Sequence, residues 1–292
     1  MESNKVTLFL MSKKGLNVLL GLVHSGLRNK VICVISSRDN SIKEDYYDNI
    51  STLCKLNNIL FYDKKENFKL KTKYLIAVSW RWIITLKNDH KLIVLHDSIL
   101  PKYRGFSPLV NSLINKEKKV GVTALFATKK YDEGEIINQK YIKINYPIKI
   151  IEAINLISTL YSEIATELIK NITNIKSTKQ NNSIASYSIW LDEEDYFIDW
   201  HKDAEYISRF IDSVGYPYLG AKTKINTQYF TITKAELFDD LKIENRHVGK
   251  VLLVNEGFPV VVCGKGLLKI IEIHDNNQKS LLPLKKFRIR FK

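Results

Sequence analysis

Residues 91–139 read KLIVLHDSILPKYRGFSPLVNSLINKEKKVGVTALFATKKYDEGEIINQ, and this stretch decides the class of fold. The apolar run Leu92 to Leu95 has the length of a short buried strand and delivers His96 to its end. Leu100-Pro101 marks a rigid turn, followed by Tyr103-Arg104-Gly105 and a short helix-like segment. A second apolar run, Val120 to Phe126, leads to Asp132 in Tyr-Asp-Glu-Gly. Ligands of α/β sheets collect at the carboxyl ends of strands. An imidazole and a carboxylate at neighbouring strand ends therefore predict acid–base chemistry at this place.

Upstream, strand-like and helix-like segments alternate: Val6 to Met11, Gly15 to Leu27, Val31 to Ser36, Tyr46 to Asn57, Ile59 to Tyr62 and Tyr74 to Ser79. That alternation predicts a mostly parallel, Rossmann-like α/β sheet with helices on both faces. Gly15 belongs to no Gly-x-Gly-x-x-Gly fingerprint, so a nicotinamide cofactor has no support. Ile148 to Asn171 has apolar residues at helical spacing and reads as a long amphipathic helix on the sheet. The polar stretch Asn174 to Ser183 reads as a surface linker. After a helical pattern at Asp203 to Ser213, short strands dominate: Gly220 to Ile225, Gln228 to Thr233, Gly249 to Asn255, Phe258 to Cys263, Leu267 to Ile273 and Phe287 to Phe291. Their spacing predicts a small antiparallel, barrel-like domain. The expected division is a domain over 1–185, a connection over 186–202 and a small β-rich domain over 203–292.

The chain has 292 residues, 45% hydrophobic and 26% charged, an ordinary composition for a soluble protein. It has no apolar run long enough for a transmembrane helix, and the N-terminal run is too short for a signal peptide. A cytoplasmic protein is expected. Cys33, Cys54 and Cys263 are scattered; the first and last sit in strand-like runs and read as buried free thiols. Cys and His show no metal-binding spacing, and no metal is assigned. The net charge of +14 raises a nucleic-acid partner. Lysines are spread along the chain and mixed with acids, however, which argues against a polynucleotide patch. Only Lys285 to Lys292 is locally dense, and its alternation fits an edge strand with a solvated basic face.

The central stretch also resembles the signature of the N10-formyltetrahydrofolate-dependent formyltransferases. His96-Asp97-Ser98-Ile99-Leu100-Pro101, Arg104-Gly105, Gly121-Val122-Thr123 and Asp132-Glu133-Gly134-Glu135-Ile136 carry the likeness, in order. The connection Ser186 to Trp200 and the β-rich end extend it along the chain. The resemblance implies N10-formyltetrahydrofolate as co-substrate, His96 as donor to the developing oxyanion and Asp132 as its proton-handling partner. It implies folate contacts from Trp80, Arg81, Trp82, Ile83 and Ile84, and from Thr128 to Tyr131. Trp80 and Trp82 read equally as core anchors, and Arg81 as a cation–π or carboxylate contact. Ser98, Tyr103, Arg104 and Phe106 are expected at the acceptor, with Arg104 reading equally as a residue that fixes its loop.

One position departs from the pattern. The family has an asparagine two residues before the histidine; here it is Val94, which offers no hydrogen bond. Loss of such a donor typically costs about 100- to 1000-fold in turnover. Another group, such as a backbone N–H, Ser98 or Asn111, takes its place, the site is a modified one, or catalysis has lapsed. Two acceptors compete: a nucleotide-linked amino deoxysugar of the kind used for lipopolysaccharide and O-antigen, or methionyl-transfer RNA. Ser36 to Asn49 is short and mixed in charge, which favours the sugar. A homodimer through the C-terminal barrel is compatible with the sequence.

Overall fold

The structure, a computed structural model, describes residues 2–87, 89–284 and 286–292. In chain order its elements are β1 (Glu2–Leu10), α1 (Ser12–His24), β2 (Val31–Ser36), α2 (Tyr47–Leu56), β3 (Leu60–Asp63), β4 (Thr72–Val78), β5 (Lys91–His96) and β6 (Arg104–Gly105). Then follow α3 (Pro108–Ile114), β7 (Lys119–Phe126), β8 (Ile136–Lys143), α4 (Ile150–Lys170) and β9 (Tyr187–Ser188). The remainder holds α5 (Ala204–Val214), β10 (Ala221–Ile225), β11 (Gln228–Phe238), β12 (Val251–Asn255), β13 (Phe258–Val262) and β14 (Leu267–Asp275). Two compact units result, one drawn mainly from residues up to Trp190 and one mainly from Leu191–Lys292.

The first unit is built on a seven-stranded sheet of order β3-β2-β1-β4-β5-β7-β8. Strands β1 to β5 run parallel, as the β-branched, apolar runs require of strands buried on both faces. One face carries Phe9, Cys33, Ile35, Leu75 and Ala77, with Trp80, Leu92 and Val94 packed on the same cluster. The alternate residues Leu8, Val34, Ile76 and Ile93 are also buried, so the sheet is covered on its other side as well. Two features differ from the sequence reading. Strand β8 was absent from it, because Ile136–Lys143 is only half-apolar and mostly half-buried. Strand β7 runs antiparallel to β5, placing His96 opposite Thr123 and Phe126 opposite Ile93. The turn after β7 therefore starts well below the end of β5 that carries His96.

The second unit is a five-stranded antiparallel sheet of order β10-β11-β14-β13-β12, preceded by α5. Asp203 caps α5 by accepting from the Tyr206 N–H at 2.5 Å. The basic segment before Lys292 is not an edge strand. Lys224 and Lys292 exchange backbone hydrogen bonds at 2.7 and 2.8 Å, while Val251 donates to Ile289 and Phe291 to Gly249. The segment thus bonds to both sheet edges and closes the sheet on itself; Lys285, part of the expected strand, lies outside the described residues. The alternation put basic residues outward, but it equally put Ile289 and Phe291 inward. Phe291 is 1% exposed and packs on Trp200 with ring centroids 5.4 Å apart. The Trp200 indole donates to Thr223 Oγ1, which donates to the Lys292 carbonyl. Among the described residues no helix is long and apolar enough to cross a membrane.

Phe291→Ala should remove about 3–5 kcal/mol from the unfolding of the C-terminal unit, since it empties a buried aromatic site at the closure. Urea denaturation followed by tryptophan fluorescence measures the loss.

Candidate active site

His96 ends β5, buried, with both ring nitrogens facing oxygen. Its Nε2 lies 2.8 Å from the Tyr103 carbonyl, which can only accept, so Nε2 carries a hydrogen. Its Nδ1 faces Asp132 Oδ2 at 3.5 Å. In the neutral ring, Nδ1 and Oδ2 are then two acceptors side by side. One proton placed between them turns the contact into a charge-assisted hydrogen bond. Asp132 Oδ2 also accepts from the Gly105 N–H at 2.9 Å. The pair is therefore held in position, with Nδ1 and Oδ2 placed to share a proton.

The carboxylate does not come from a neighbouring strand end, as the sequence suggested. Because β7 descends antiparallel to β5, residues 127–135 must fold back to bring Asp132 to His96. The return is forced through unusual backbone: Asp132 has φ 52° and Tyr103 φ 60°. Each left-handed non-glycine residue costs about 1 kcal/mol or more. Gly134 allows the fold-back, since a Cβ there would lie 1.7 Å from the Phe126 carbonyl oxygen. Gly105, at φ 100°, has the Ser188 carbonyl 2.5 Å from where a Cβ would stand.

Arg104 supplies the restraint. It is 1% exposed, the largest fully buried side chain among the described residues. Its Nε and Nη2 donate to Gln180 Oε1 at 3.1 and 2.8 Å, and Nη2 also donates to Asn182 Oδ1 at 2.7 Å. Nη1 reaches the Tyr187 hydroxyl at 3.4 Å and Glu133 at 3.8 Å. Gln180 in turn donates from Nε2 to the carbonyls of Asp132 and Gly134 at 2.6 and 2.7 Å. The loop-fixing role is the one this geometry supports; the guanidinium is turned inward, not toward an acceptor. Gln180, Asn182 and Tyr187 went unassigned in the sequence, where 174–183 looked like a linker. Nothing in a polar Asn/Gln/Ser run signals that it will satisfy a buried cation 76 residues away.

A second buried charge sits beside the histidine. Lys14 of α1 pairs with Asp97, and the Tyr161 hydroxyl of α4 bonds to both the Asp97 carboxylate and, at 3.0 Å, the Leu95 carbonyl. Both chain neighbours of His96 are thereby fixed. Thr123 Oγ1 donates to the Ser98 carbonyl at 2.7 Å and accepts from the Leu100 N–H, which pins the turn that follows. Ser98 is buried and donates to the Lys102 carbonyl at 2.7 Å; it braces the turn and presents no hydroxyl outward. Asn111 likewise donates to Ser107 within its own helix. Tyr103 gives its carbonyl to His96 and its N–H to Ser186 Oγ. Phe106 and Tyr131 are exposed and meet edge to face at 5.4 Å, beside Gly105 and Asp132.

The loop after β4 holds the other predicted contacts. Trp80 packs edge-on against Phe9 at 5.0 Å and Trp82 at 5.1 Å, and its Nε1 is buried with no hydrogen-bond partner. Arg81 pairs with Asp39 at 3.0 Å and Ser41 at 2.7 Å, so its carboxylate contact is internal. The cation over Trp82 is Lys64, 3.5 Å from the ring centroid. Ile84 packs on the core cluster, whereas Ile83 is 98% exposed and closes around nothing. All three cysteines are buried and free; burial pushes the Cys54 and Cys263 thiols up to about 12, which leaves them without nucleophilic thiolate. Among the described residues no group of three or more His, Cys, Asp or Glu is placed to hold a metal.

The first unit thus presents a histidine–carboxylate pair at a strand end of a mostly parallel sheet, and a closed β unit follows it in the chain. The chain belongs to the formyl transferase family: residues 63–153 match the model described as formyl transferase, and residues 191–288 the model of its C-terminal domain. It is 26% identical to the methionyl-tRNA formyltransferase of Campylobacter curvus over 219 residues, 74% of this chain and 69% of that one. Its fold is similar to WlaRD, a sugar 3N-formyl transferase (TM-score 0.67, 19% identity, 98% of this chain and 100% of that one). It is similar also to an N-formyltransferase from Helicobacter canadensis (TM-score 0.67, 18% identity, 94% and 100%).

Lys14→Met leaves the Asp97 carboxylate buried without its cation and should destabilise the protein by about 3–5 kcal/mol. Lys14→Met with Asp97→Leu should recover most of that loss, and thermal unfolding of the two variants reads the difference.

Proposed function

We propose that this enzyme moves the formyl group of N10-formyltetrahydrofolate to the amine of a nucleotide-linked amino deoxysugar. The observation that carries the chemistry is the His96–Asp132 pair, fixed at 3.5 Å with Nδ1 facing the carboxylate. The bound folate supplies an activated formyl carbon. His96 Nδ1 and Asp132 take the proton that the amine sheds as its nitrogen bonds to that carbon. The same pair returns a proton to N10 as the N10–carbon bond breaks, so the site ends as it began. This differs from the oxyanion-donor role expected of His96, because its Nε2–H is spent on the Tyr103 carbonyl. Trp80, Trp82 and Ile84 would flank the pterin, and the buried, unpartnered Trp80 N–H fits a ligand that brings its own acceptor.

Two facts support a sugar acceptor. Two solved structures that match over nearly both full lengths are a sugar 3N-formyl transferase with dTDP and an N-formyltransferase with dTDP-3-aminofucose. The C-terminal unit holds 16 Lys and Arg against 15 Asp and Glu over 191–292, which gives it no cationic excess to hold a polyanion. Phe106 and Tyr131 offer exposed rings at the mouth for a base or sugar face. Both substrates are soluble anions, consistent with a cytoplasmic enzyme. The names of the sequence relatives favour a second reading, methionyl-transfer RNA as acceptor.

A formyl-transfer assay with N10-formyltetrahydrofolate and a panel of nucleotide-linked 3-amino and 4-amino deoxysugars, read by product mass, decides between them. Transfer to a sugar is expected, falling about 100- to 10,000-fold in Asp132→Asn, which keeps the shape and loses the base. Transfer to methionyl-transfer RNA alone would overturn the sugar reading, and transfer to neither would point to a lapsed site.

A further inference from the structure

Formyl transfer passes through an oxyanion, and such an anion needs a hydrogen-bond donor aimed at it. The side chains nearest the end of β5 do not offer one. His96 donates from Nε2 to Tyr103, Ser98 donates its one hydrogen to Lys102, Asn111 turns its amide to the Ser107 carbonyl, which takes one of its two hydrogens, and Val94 has nothing to donate. One buried donor close by is unspent. Trp80 follows the end of β4, where Val78 lies beside Leu95, the residue before His96. In the register of the parallel strands, Phe9, Ala77 and Val94 form one row across the sheet. His96 stands two residues above Val94 and so points to the same face. The Trp80 indole packs against Phe9 in that row, on the cluster to which Ala77 also belongs, with its Nε1 buried and without an acceptor. Buried N–H groups are nearly always satisfied, so an orphan beside a site marks a place a ligand completes.

We propose that the Trp80 indole N–H donates to the formyl oxygen of the bound folate, filling the role that Val94 leaves vacant. The inference rests on the folate reading above. The test labels the four tryptophans with ¹⁵N at the indole nitrogen and follows each N–H resonance, assigned by Trp→Phe variants. Binding of tetrahydrofolate and of N10-formyltetrahydrofolate is measured beside it by calorimetry, without acceptor. A downfield shift of the Trp80 resonance with the formylated folate alone places the bond on the formyl oxygen. A shift with both places it on the pterin carbonyl and overturns the proposed role. Binding of N10-formyltetrahydrofolate that leaves the Trp80 resonance unmoved overturns the proposal and leaves the function intact. Absence of folate binding removes both.

Kinetics give a second reading. If the bond is to the formyl oxygen, Trp80→Phe keeps the ring and should lower kcat about 100- to 1000-fold with folate affinity little changed. Restoring an amide with Val94→Asn in that background should return part of the loss. An equal fall in affinity and in kcat/KM, with kcat itself unchanged and no shift of the indole resonance, would make Trp80 only a wall of the pterin site.

Discussion

Arg104 carries a guanidinium into a place from which water is excluded, and much of the site follows from what that cation needs. A buried charge left without partners costs several kcal/mol, so its donors must find acceptors. They find them in three separate stretches, at Glu133, at Gln180 and Asn182, and at Tyr187. Each stretch brings something with it. Glu133 adjoins Asp132, Gln180 grips the Asp132 and Gly134 carbonyls, and Tyr187 begins the two-residue strand that pairs with Arg104 and Gly105. The carboxylate is held against the histidine by an arginine that need not touch substrate. Lysine could not replace it, since the planar fork is what reaches several acceptors at once.

The fold was largely legible because each parallel strand is a nearly unbroken β-branched run and each helix has its own period. Val31 to Ser36 was placed to the residue, and the long helix within two residues at its start. The failures share one cause. The direction of β7 cannot be read from its own residues, because antiparallel and parallel strands of a buried sheet carry the same apolar run. Strand β8 lacks that run, and the segment at Phe291 alternates like an edge strand while bonding on both sides. In the site, His96 and Asp132 were named from their places after apolar runs and from the resemblance to the family's motif. The residues that orient them (Lys14, Tyr161, Gln180, Asn182) are ordinary in sequence and acquire meaning only through long-range contact.

Charge is distributed unevenly along the chain. Almost the whole of the +14 excess lies before Leu191, in the unit that carries the site. A field of that sign draws anionic small molecules toward the catalytic face and raises their encounter rate, more so at low ionic strength. Buried pairs such as Lys14–Asp97 add nothing to that field, since each cancels locally.

The closure of the second unit has a temporal side. Lys224, on one edge strand, exchanges backbone hydrogen bonds with Lys292, which a ribosome adds many residues later. At about 5–20 residues per second, the edge of β10 stays bare for several seconds of synthesis, its N–H and C=O groups open to any passing strand. The closing segment is made after both of the edges it joins, so the edges wait for it and not it for them.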